Sequence, residues 1–320
     1  MNRVFRLVLA TGVVVSLAAC GNSNDAAADA ASPGALKVVA TTPEVADFVR
    51  QIGGDRVAVT QIIKPGVDPH DYEPTPADLQ AIGAAKVVVE NGVGLEEWLE
   101  PTIEATGFKG SVVDASQGVT LREGGHEEEG EHAEEEAGGE EHDPHIWHNP
   151  ANAKIMVTNI EKALSAAEPG AAGAFGAKLT SYAAELDKLD ADNEAAWATI
   201  PAAQRKLVTN HDAFGYYVDR YQLEFVGSVI PSLDTSAELS VQQLDDLVAK
   251  IKATGVKAIF TESSLPPKSA EAIAARAGVT VVGGEDALFG DSLGPQGTEQ
   301  GTYLGAERHN TATLTAALGG

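Results

Sequence analysis

The sequence predicts an α/β fold with two lobes, each a (β/α)4 unit with a parallel sheet, joined by one long rigid helix. Short β-branched runs alternate with longer helical patterns, which is typical of βαβ units. The runs fall into two sets of four, so we expect two similar lobes. The first set covers residues 36–40, 57–63, 86–90 and 111–114, and the second covers residues 206–210, 223–230, 256–261 and 279–283.

Between the two sets, residues 170–200 follow the four-three spacing of a helix with one apolar face. A Pro-Gly pair precedes this stretch and Pro201 closes it. We expect a stiff connector between an N-terminal lobe, residues 35–169, and a C-terminal lobe, residues 201–320. An ordinary amphipathic helix inside one domain remains the alternative. The predicted face consists of Phe175, Leu179, Tyr182, Leu186, Leu189, Asn193 and Ala196.

The first residues have the features of an export signal, with Arg3 and Arg6 followed by an apolar stretch too short to span a bilayer. Cys20 is the only cysteine and follows Leu-Ala-Ala, which resembles a lipoprotein box. We therefore expect a signal peptide over residues 1–19 and a lipid anchor on Cys20. The flexible tether of residues 20–34 would hold the protein at the outer face of the cytoplasmic membrane. The alternative is an ordinary signal peptide with a chance cysteine.

The formal net charge is -25, which excludes nucleic acid as a partner and suits cations. Much of the acid lies in a Glu-rich loop, residues 123–142, which contains His126, His132 and His142. Dense like charge without apolar periodicity predicts disorder in the absence of metal. The loop is either a solvated solubility segment or an auxiliary arm that collects metal ions for a tighter site.

Four residues stand in loops that follow apolar runs: His70, His145, His211 and Asp291. Three imidazoles and one carboxylate suit a tetrahedral divalent metal, and Zn²⁺ is the natural occupant. Four protein ligands close the shell and leave no position for a reacting water. The pattern therefore favours capture of the metal over catalysis with it.

With these motifs, the chain resembles the metal-binding solute-binding proteins of ABC importers for zinc and manganese, and in particular their zinc-receptor branch. The resemblance covers the chain from about residue 36 to the C-terminus. It implies a metal site in the cleft between the lobes and a receptor that works as a monomer with a permease and its ATPase. The matching stretches are residues 69–74, 90–99, 143–147, 211–216 and 291–294.

The resemblance also implies that His70 and His145 are ligands from the first lobe, and His211 and Asp291 from the second. Histidine at the third position is similar to zinc receptors, whereas manganese-type relatives tend to carry Glu there. Two features weaken the assignment of Asp291. Some zinc receptors use water as the fourth ligand, and Asp286 is a competing carboxylate.

Several further residues are candidates for supporting roles. Tyr72, Trp147 and Phe214 follow or flank the candidate ligands and are expected to exclude water from the site. His148, where the family often has an apolar residue, is expected to be structural, with a spare donor as the alternative. Glu262 ends a predicted strand and either orients a ligand imidazole through its second ring nitrogen or caps the next helix. Pro65, Pro69, Pro74 and Pro76 are expected to stiffen the loop of His70.

We therefore expect an extracytoplasmic high-affinity Zn²⁺ receptor that is not an enzyme. A manganese (Mn²⁺) receptor of the same architecture is the first alternative. A secreted zinc hydrolase is disfavoured because the sequence has no HExxH helix and no activated-serine elbow. A surface adhesin or structural lipoprotein is the remaining alternative.

Overall fold

Two four-stranded parallel sheets form the framework of the protein, seen in a computed structural model that describes residue 32, residues 34–124 and residues 142–319. The strands are β1 (Leu36–Ala40), β2 (Val57–Gln61), β3 (Val87–Glu90), β4 (Ser111–Asp114), β5 (Lys206–Thr209), β6 (Glu224–Ser228), β7 (Ala258–Phe260) and β8 (Thr280–Val282). The order is β2-β1-β3-β4 in one sheet and β6-β5-β7-β8 in the other. The two lobes therefore share one topology, and the predicted fold class is confirmed.

All eight predicted strands are present; β1 and β4 have the predicted bounds, and the other six are shorter by one or two residues at one end or at both. The strands are short because the chain turns soon after each one into the loops that carry polar side chains. Val87, Val88 and Val89 of β3 are all fully buried. Such continuous apolar runs are expected for parallel strands that are covered on both faces.

Nine helices surround the two sheets in the described part of the chain. Their starts and stops follow local chemistry: Thr75 and Ser240 form capping boxes, and Gly255 and Gly278 end their helices in the left-handed conformation. The helices are α1 (Pro43–Gly53), α2 (Pro76–Ala84), α3 (Leu99–Thr106), α4 (Pro150–Ala167), α5 (Ala172–Ala198), α6 (Gly215–Tyr221), α7 (Val241–Thr254), α8 (Lys268–Ala277) and α9 (Tyr303–Gly319).

Each sheet has an apolar core on both faces. In the first lobe, one core contains Phe48 and Met156, and the other contains Ile63 and Ile82. In the second lobe, the cores contain, among others, the side chains of Tyr217, Phe260, Ile251 and Ile273. Burial of one such large side chain stabilises the fold by about 1.5–3 kcal/mol. The packed layers hold the strand ends, and hence the loops beyond them, in fixed positions.

Two helices connect the lobes through buried side chains. The predicted long helix is present as α5, preceded by a 3-10 turn at Pro169–Ala171. Its Phe175 and Leu186 lie in the first-lobe core, whereas Trp197 lies in the second-lobe core. Helix α9 does the same, with Tyr303 in the first-lobe core and Leu314 in that of the second. The connector is therefore a packed pair of helices.

Candidate metal centre

The four candidate ligands lie in loops beyond the carboxyl ends of strands from both lobes. His70 follows β2 and His145 precedes α4 in the first lobe. His211 follows β5, and Asp291 lies between β8 and α9 in the second lobe. Because parallel strands end at the same edge of their sheet, the loops of each lobe meet at one edge. The structure brings all four side chains together, with one donor atom from each within 4.8 Å of the others.

The spacing of these donor atoms fits a tetrahedral ion. Asp291 Oδ1 lies 3.2 Å from His145 Nε2, and Asp291 Oδ2 lies 3.3 Å from His211 Nδ1 and 3.5 Å from His70 Nε2. The two first-lobe nitrogens, His70 Nε2 and His145 Nε2, are 3.3 Å apart. A tetrahedron with zinc–ligand bonds of about 2.0–2.1 Å has edges of about 3.3–3.4 Å. The measured separations are close to those edges.

The site is closed to solvent. His145 and His211 are 0% exposed and Asp291 is 1% exposed, while the side chain of His70 retains 4% exposure. Water is therefore largely excluded from the donors, which strengthens their interaction with an ion. His70 is the most accessible ligand, so its loop is the natural entry to the site.

The outer nitrogens of the two fully buried histidines are held differently. His145 Nδ1 lies 2.8 Å from Asp143 Oδ1, and the second oxygen of Asp143 accepts from Arg122 at 3.0 Å. His211 Nε2 donates to the carbonyl oxygen of Leu233 at 2.8 Å. Each contact fixes the ring orientation and leaves the other nitrogen directed at the shared centre. His145 thus presents Nε2, and His211 presents Nδ1.

The carboxylate of Asp291 controls the protonation of the site without an ion. Burial would lower the pKa of His211, but Asp291 and then Glu262 outweigh burial and raise this pKa to about 9. The pKa of His145 is also raised well above its usual range, because Asp291 and Asp143 together outweigh burial. Burial would raise the pKa of Asp291, but His211 and His145 hold it well below its usual range. Imidazole protons must therefore leave when a dication binds.

The loop of His70 is tied to the second lobe by hydrogen bonds. Asp68 Oδ1 accepts from the backbone nitrogen of His70 at 3.0 Å, and Asp68 Oδ2 accepts from the hydroxyl of Thr235. The backbone nitrogen of Gly66 also donates to Ser292 Oγ at 2.7 Å. One side chain, Asp68, therefore couples the position of a first-lobe ligand to a second-lobe loop.

Some predicted supporting residues flank the centre and others do not. The ring of Trp147 lies 5.4 Å from that of His145, and its Nε1 donates to the carbonyl oxygen of Gly290. Tyr72 instead packs against Trp98 and donates its hydroxyl to Asp78, within the outer core of the first lobe.

The competing polar residues lie outside the donor group. His148 is fully buried, its Nδ1 lies 2.7 Å from Glu307 Oε1, and its ring stacks on Phe214 at 4.4 Å. This arrangement agrees with a structural role for His148. Asp286 lies in an exposed 3-10 turn and is not part of the group.

Glu262 lies in a place that neither alternative from the sequence describes. The second ring nitrogen of His211 is occupied by Leu233, and Glu262 Oε2 lies 3.6 Å from Nδ1, the nitrogen that faces the centre. The next helix, α8, has Pro267 as its N-cap, so Glu262 does not cap it. The carboxylate that orients a ligand imidazole is Asp143, two residues before His145. This role of Asp143 was not predicted from the sequence.

Of the three arm histidines, only His142 lies in the described part of the chain, where it forms an isolated antiparallel bridge with Glu123. Its Nδ1 is buried without a hydrogen-bond partner among the described residues. His126, His132, Cys20 and the predicted signal peptide lie outside the described residues. Among the helices that are described, none has the length and apolarity that a membrane crossing requires.

Comparison with known proteins agrees with this arrangement. The chain matches the family model described as ZnuA, zinc-uptake complex component A, periplasmic, over residues 38–317. The zinc-binding protein TroA of Treponema pallidum (strain Nichols) is 34% identical over 321 residues, covering 99% of this chain and 98% of TroA. The manganese-binding lipoprotein MntA of Bacillus subtilis (strain 168) is 34% identical over 316 residues, covering 97% of this chain and 98% of MntA.

A solved structure gives the same result for the fold. The periplasmic zinc-binding protein TroA from Treponema pallidum superimposes with a TM-score of 0.79 at 32% identity, covering 89% of this chain and 99% of that chain. The two lobes and their shared donor group define an extracytoplasmic metal-binding receptor, the substrate-binding component of a metal ABC importer. The chain belongs to the ZnuA family.

Proposed function

We propose that the protein captures Zn²⁺ outside the cytoplasmic membrane and delivers it to the permease of an ABC importer, whose ATPase drives uptake. The ligands are His70 Nε2, His145 Nε2, His211 Nδ1 and one carboxylate oxygen of Asp291. The observation that carries the proposal is the buried group of three imidazole nitrogens and one carboxylate at tetrahedral separations.

The donor set favours zinc over manganese. Imidazole suits zinc, whereas manganese prefers a shell richer in oxygen and of higher coordination number. Three nitrogens and one oxygen therefore match zinc better. Manganese remains the second candidate, because MntA, named for manganese, is as similar in sequence as TroA, named for zinc. Sequence identity does not separate the two metals, whereas the donor set favours zinc.

A closed four-ligand shell supports transport in place of catalysis. A catalytic zinc site keeps one position open for water or substrate. Here all four donors come from the protein, two from each lobe, and they are almost fully buried. We therefore propose that the protein is not an enzyme and that the metal is its cargo.

The remaining parts of the chain have roles consistent with this proposal. We propose that Cys20 carries the lipid anchor, that residues 20–34 are a tether, and that the receptor works as a monomer. We divide the rest into a lobe of residues 35–169, a connector of residues 170–200 and a lobe of residues 201–320. The acidic loop, with His126, His132 and His142, would raise the local concentration of cations near the entry loop.

Equilibrium competition between Zn²⁺ and Mn²⁺ at the purified, metal-free protein tests the proposal. We expect zinc to bind more tightly. We expect His70→Ala to raise the dissociation constant for zinc by more than about a hundredfold, because loss of an outer partner of a ligand already costs about tenfold to a hundredfold. His309→Ala is the matched control, since His309 lies on α9 outside the donor group. Tighter binding of manganese would show that manganese, and not zinc, is the cargo. Unchanged zinc binding by His70→Ala would overturn the proposed site.

The pH dependence of binding gives a second readout of the same proposal. His211 has a pKa of about 9 in the free protein, so it carries a proton at lower pH and must lose it to bind an ion. This raised pKa stabilises the metal-free protein below about pH 6.5, and that contribution disappears as the pH rises through 9. Zinc should therefore raise the melting temperature more at pH 8.5 than at pH 6.5. An equal shift at both pH values would contradict proton release from these imidazoles.

A further inference from the structure

Glu262 is a buried carboxylate beside the centre that is not one of the four grouped ligand candidates. It follows β7, and its backbone nitrogen donates to Asn210 Oδ1 at 3.1 Å. A parallel bridge to Leu288 fixes the same residue from the other side. Because the backbone is held on both sides, the side chain has a defined position at the second-lobe edge of the centre.

The carboxylate oxygens of Glu262 lack hydrogen-bond partners among the described residues, although the side chain is 0% exposed. Burying a carboxylate without a partner is costly, so such a group takes up a proton, pairs with a cation or binds a metal. Glu262 forms an ion pair with His211, whose Nδ1 lies 3.6 Å from Glu262 Oε2. That separation is close to the measured separations of Asp291 from the three imidazoles and of His70 from His145, which run from 3.2 to 3.5 Å.

Two neighbours limit the positions that the Glu262 carboxylate can take. The outer nitrogen of His211 is already bonded to the carbonyl oxygen of Leu233, so Glu262 cannot serve as its orienting acceptor. Gly290 precedes Asp291, and a Cβ atom at Gly290 would lie 1.8 Å from Glu262 Oε2. Glycine at this position therefore leaves the space that the Glu262 carboxylate occupies beside the loop of Asp291.

We propose that Glu262 is a fifth donor, an oxygen ligand on the His211 side that serves ions with more than four ligands. The proposal rests on the function proposed above. A tetrahedral zinc ion is satisfied by the four donors already named, whereas manganese favours oxygen ligands and a larger shell. Glu262 thus adds a second carboxylate oxygen, which stabilises bound manganese more than bound zinc. It reduces the preference for zinc that three imidazoles would otherwise impose.

The test compares dissociation constants for Zn²⁺ and Mn²⁺ in the wild type and in Glu262→Gln. We expect the variant to bind manganese about tenfold to a hundredfold more weakly, the range found when a single supporting group at a metal site is removed. The loss for zinc should be at least about tenfold smaller than the loss for manganese. Asp286→Asn, which removes an exposed carboxylate from the segment before Asp291, is the control and should leave the metal preference unchanged.

Each outcome separates this proposal from the proposed function. Equal losses for both metals would mean that Glu262 acts only through its charge, and would overturn the proposal while the zinc site stands. Failure of the wild type to bind either metal would overturn both. X-ray absorption of the wild type loaded with Mn²⁺ or Zn²⁺ gives a readout that needs no variant. The manganese form should have one more oxygen ligand, and an identical shell in the two forms would overturn the proposal.

Discussion

The two lobes contribute different kinds of ligand to the metal centre. The first lobe provides two imidazoles, His70 and His145, and His145 is oriented by a carboxylate, Asp143. The second lobe provides one imidazole, His211, which is oriented by a backbone carbonyl, together with the carboxylate of Asp291. The first lobe therefore places neutral donors, whereas the second lobe supplies the negative charge that an ion neutralises.

Two buried carboxyl groups, Glu44 in the first lobe and Asp291 in the second, differ in charge in the same sense. Glu44, on α1 of the first lobe, is 1% exposed, and its pKa is raised to about 8, mainly by burial. Asp291 on the second lobe is equally buried, yet its pKa lies well below its usual range because His211 and His145 face it. At neutral pH the first carboxyl group is protonated and the second is charged. Burial alone does not set the charge of a group; its neighbours do.

The largest expected effect is loss of the charge that the second lobe contributes. Asp291 contacts all three imidazoles, so Asp291→Asn removes the only charged ligand and keeps the side-chain shape. By comparison with removal of one partner from a buried ion pair, about 3–5 kcal/mol, we expect the zinc dissociation constant to rise about a thousandfold. Isothermal titration against a competing chelator measures it. A smaller effect than that of His70→Ala would show that charge is not concentrated in the second lobe.

A smaller effect is expected from the orienting carboxylate of the first lobe. Asp143→Ala removes the acceptor of His145 Nδ1, so the ring can turn away from the centre. We expect zinc to bind about tenfold to a hundredfold more weakly. Asp219→Ala is the matched control, because Asp219 is the exposed second carboxylate bound to Arg122. If both variants weaken binding equally, the effect passes through Arg122 and the orientation of His145 is not involved.

The strands and the identity of the ligand candidates could be predicted from the sequence because both depend on local patterns. Eight β-branched runs became eight strands, and the loops after them carry His70, His145, His211 and Asp291. Loop position and residue type were sufficient to propose the four donors, and the structure places them together.

The supporting contacts could not be predicted in the same way. The acceptor of His211 is the backbone carbonyl of Leu233. Every residue has a backbone carbonyl, so residue types do not show which one accepts this hydrogen bond. The packing of α9 against both lobes could not be predicted either. Its two ends pack into different cores, whereas the sequence shows only one helix. The role of Asp143 could have been predicted, since a carboxylate two residues before a candidate ligand is a simple local signal. Contacts between distant loops depend on the closure of the lobes, which local patterns do not encode.

The smallest expected effect concerns the hydrogen bond that couples the two halves. Thr235→Val removes the hydroxyl that donates to Asp68 and keeps the side-chain volume, so the loop of His70 loses one tie to the second lobe. The bond should be worth about 1 kcal/mol, which corresponds to about a fivefold faster release of zinc. Stopped-flow transfer of the metal to a chelator measures that rate. Thr158→Val is the control, because its hydroxyl donates only to the carbonyl oxygen of Lys154 within α4. Unchanged release by Thr235→Val would mean that this hydrogen bond does not couple the two halves, and that the prolines, the hydrogen bond from Gly66 to Ser292 and the metal itself hold the loop.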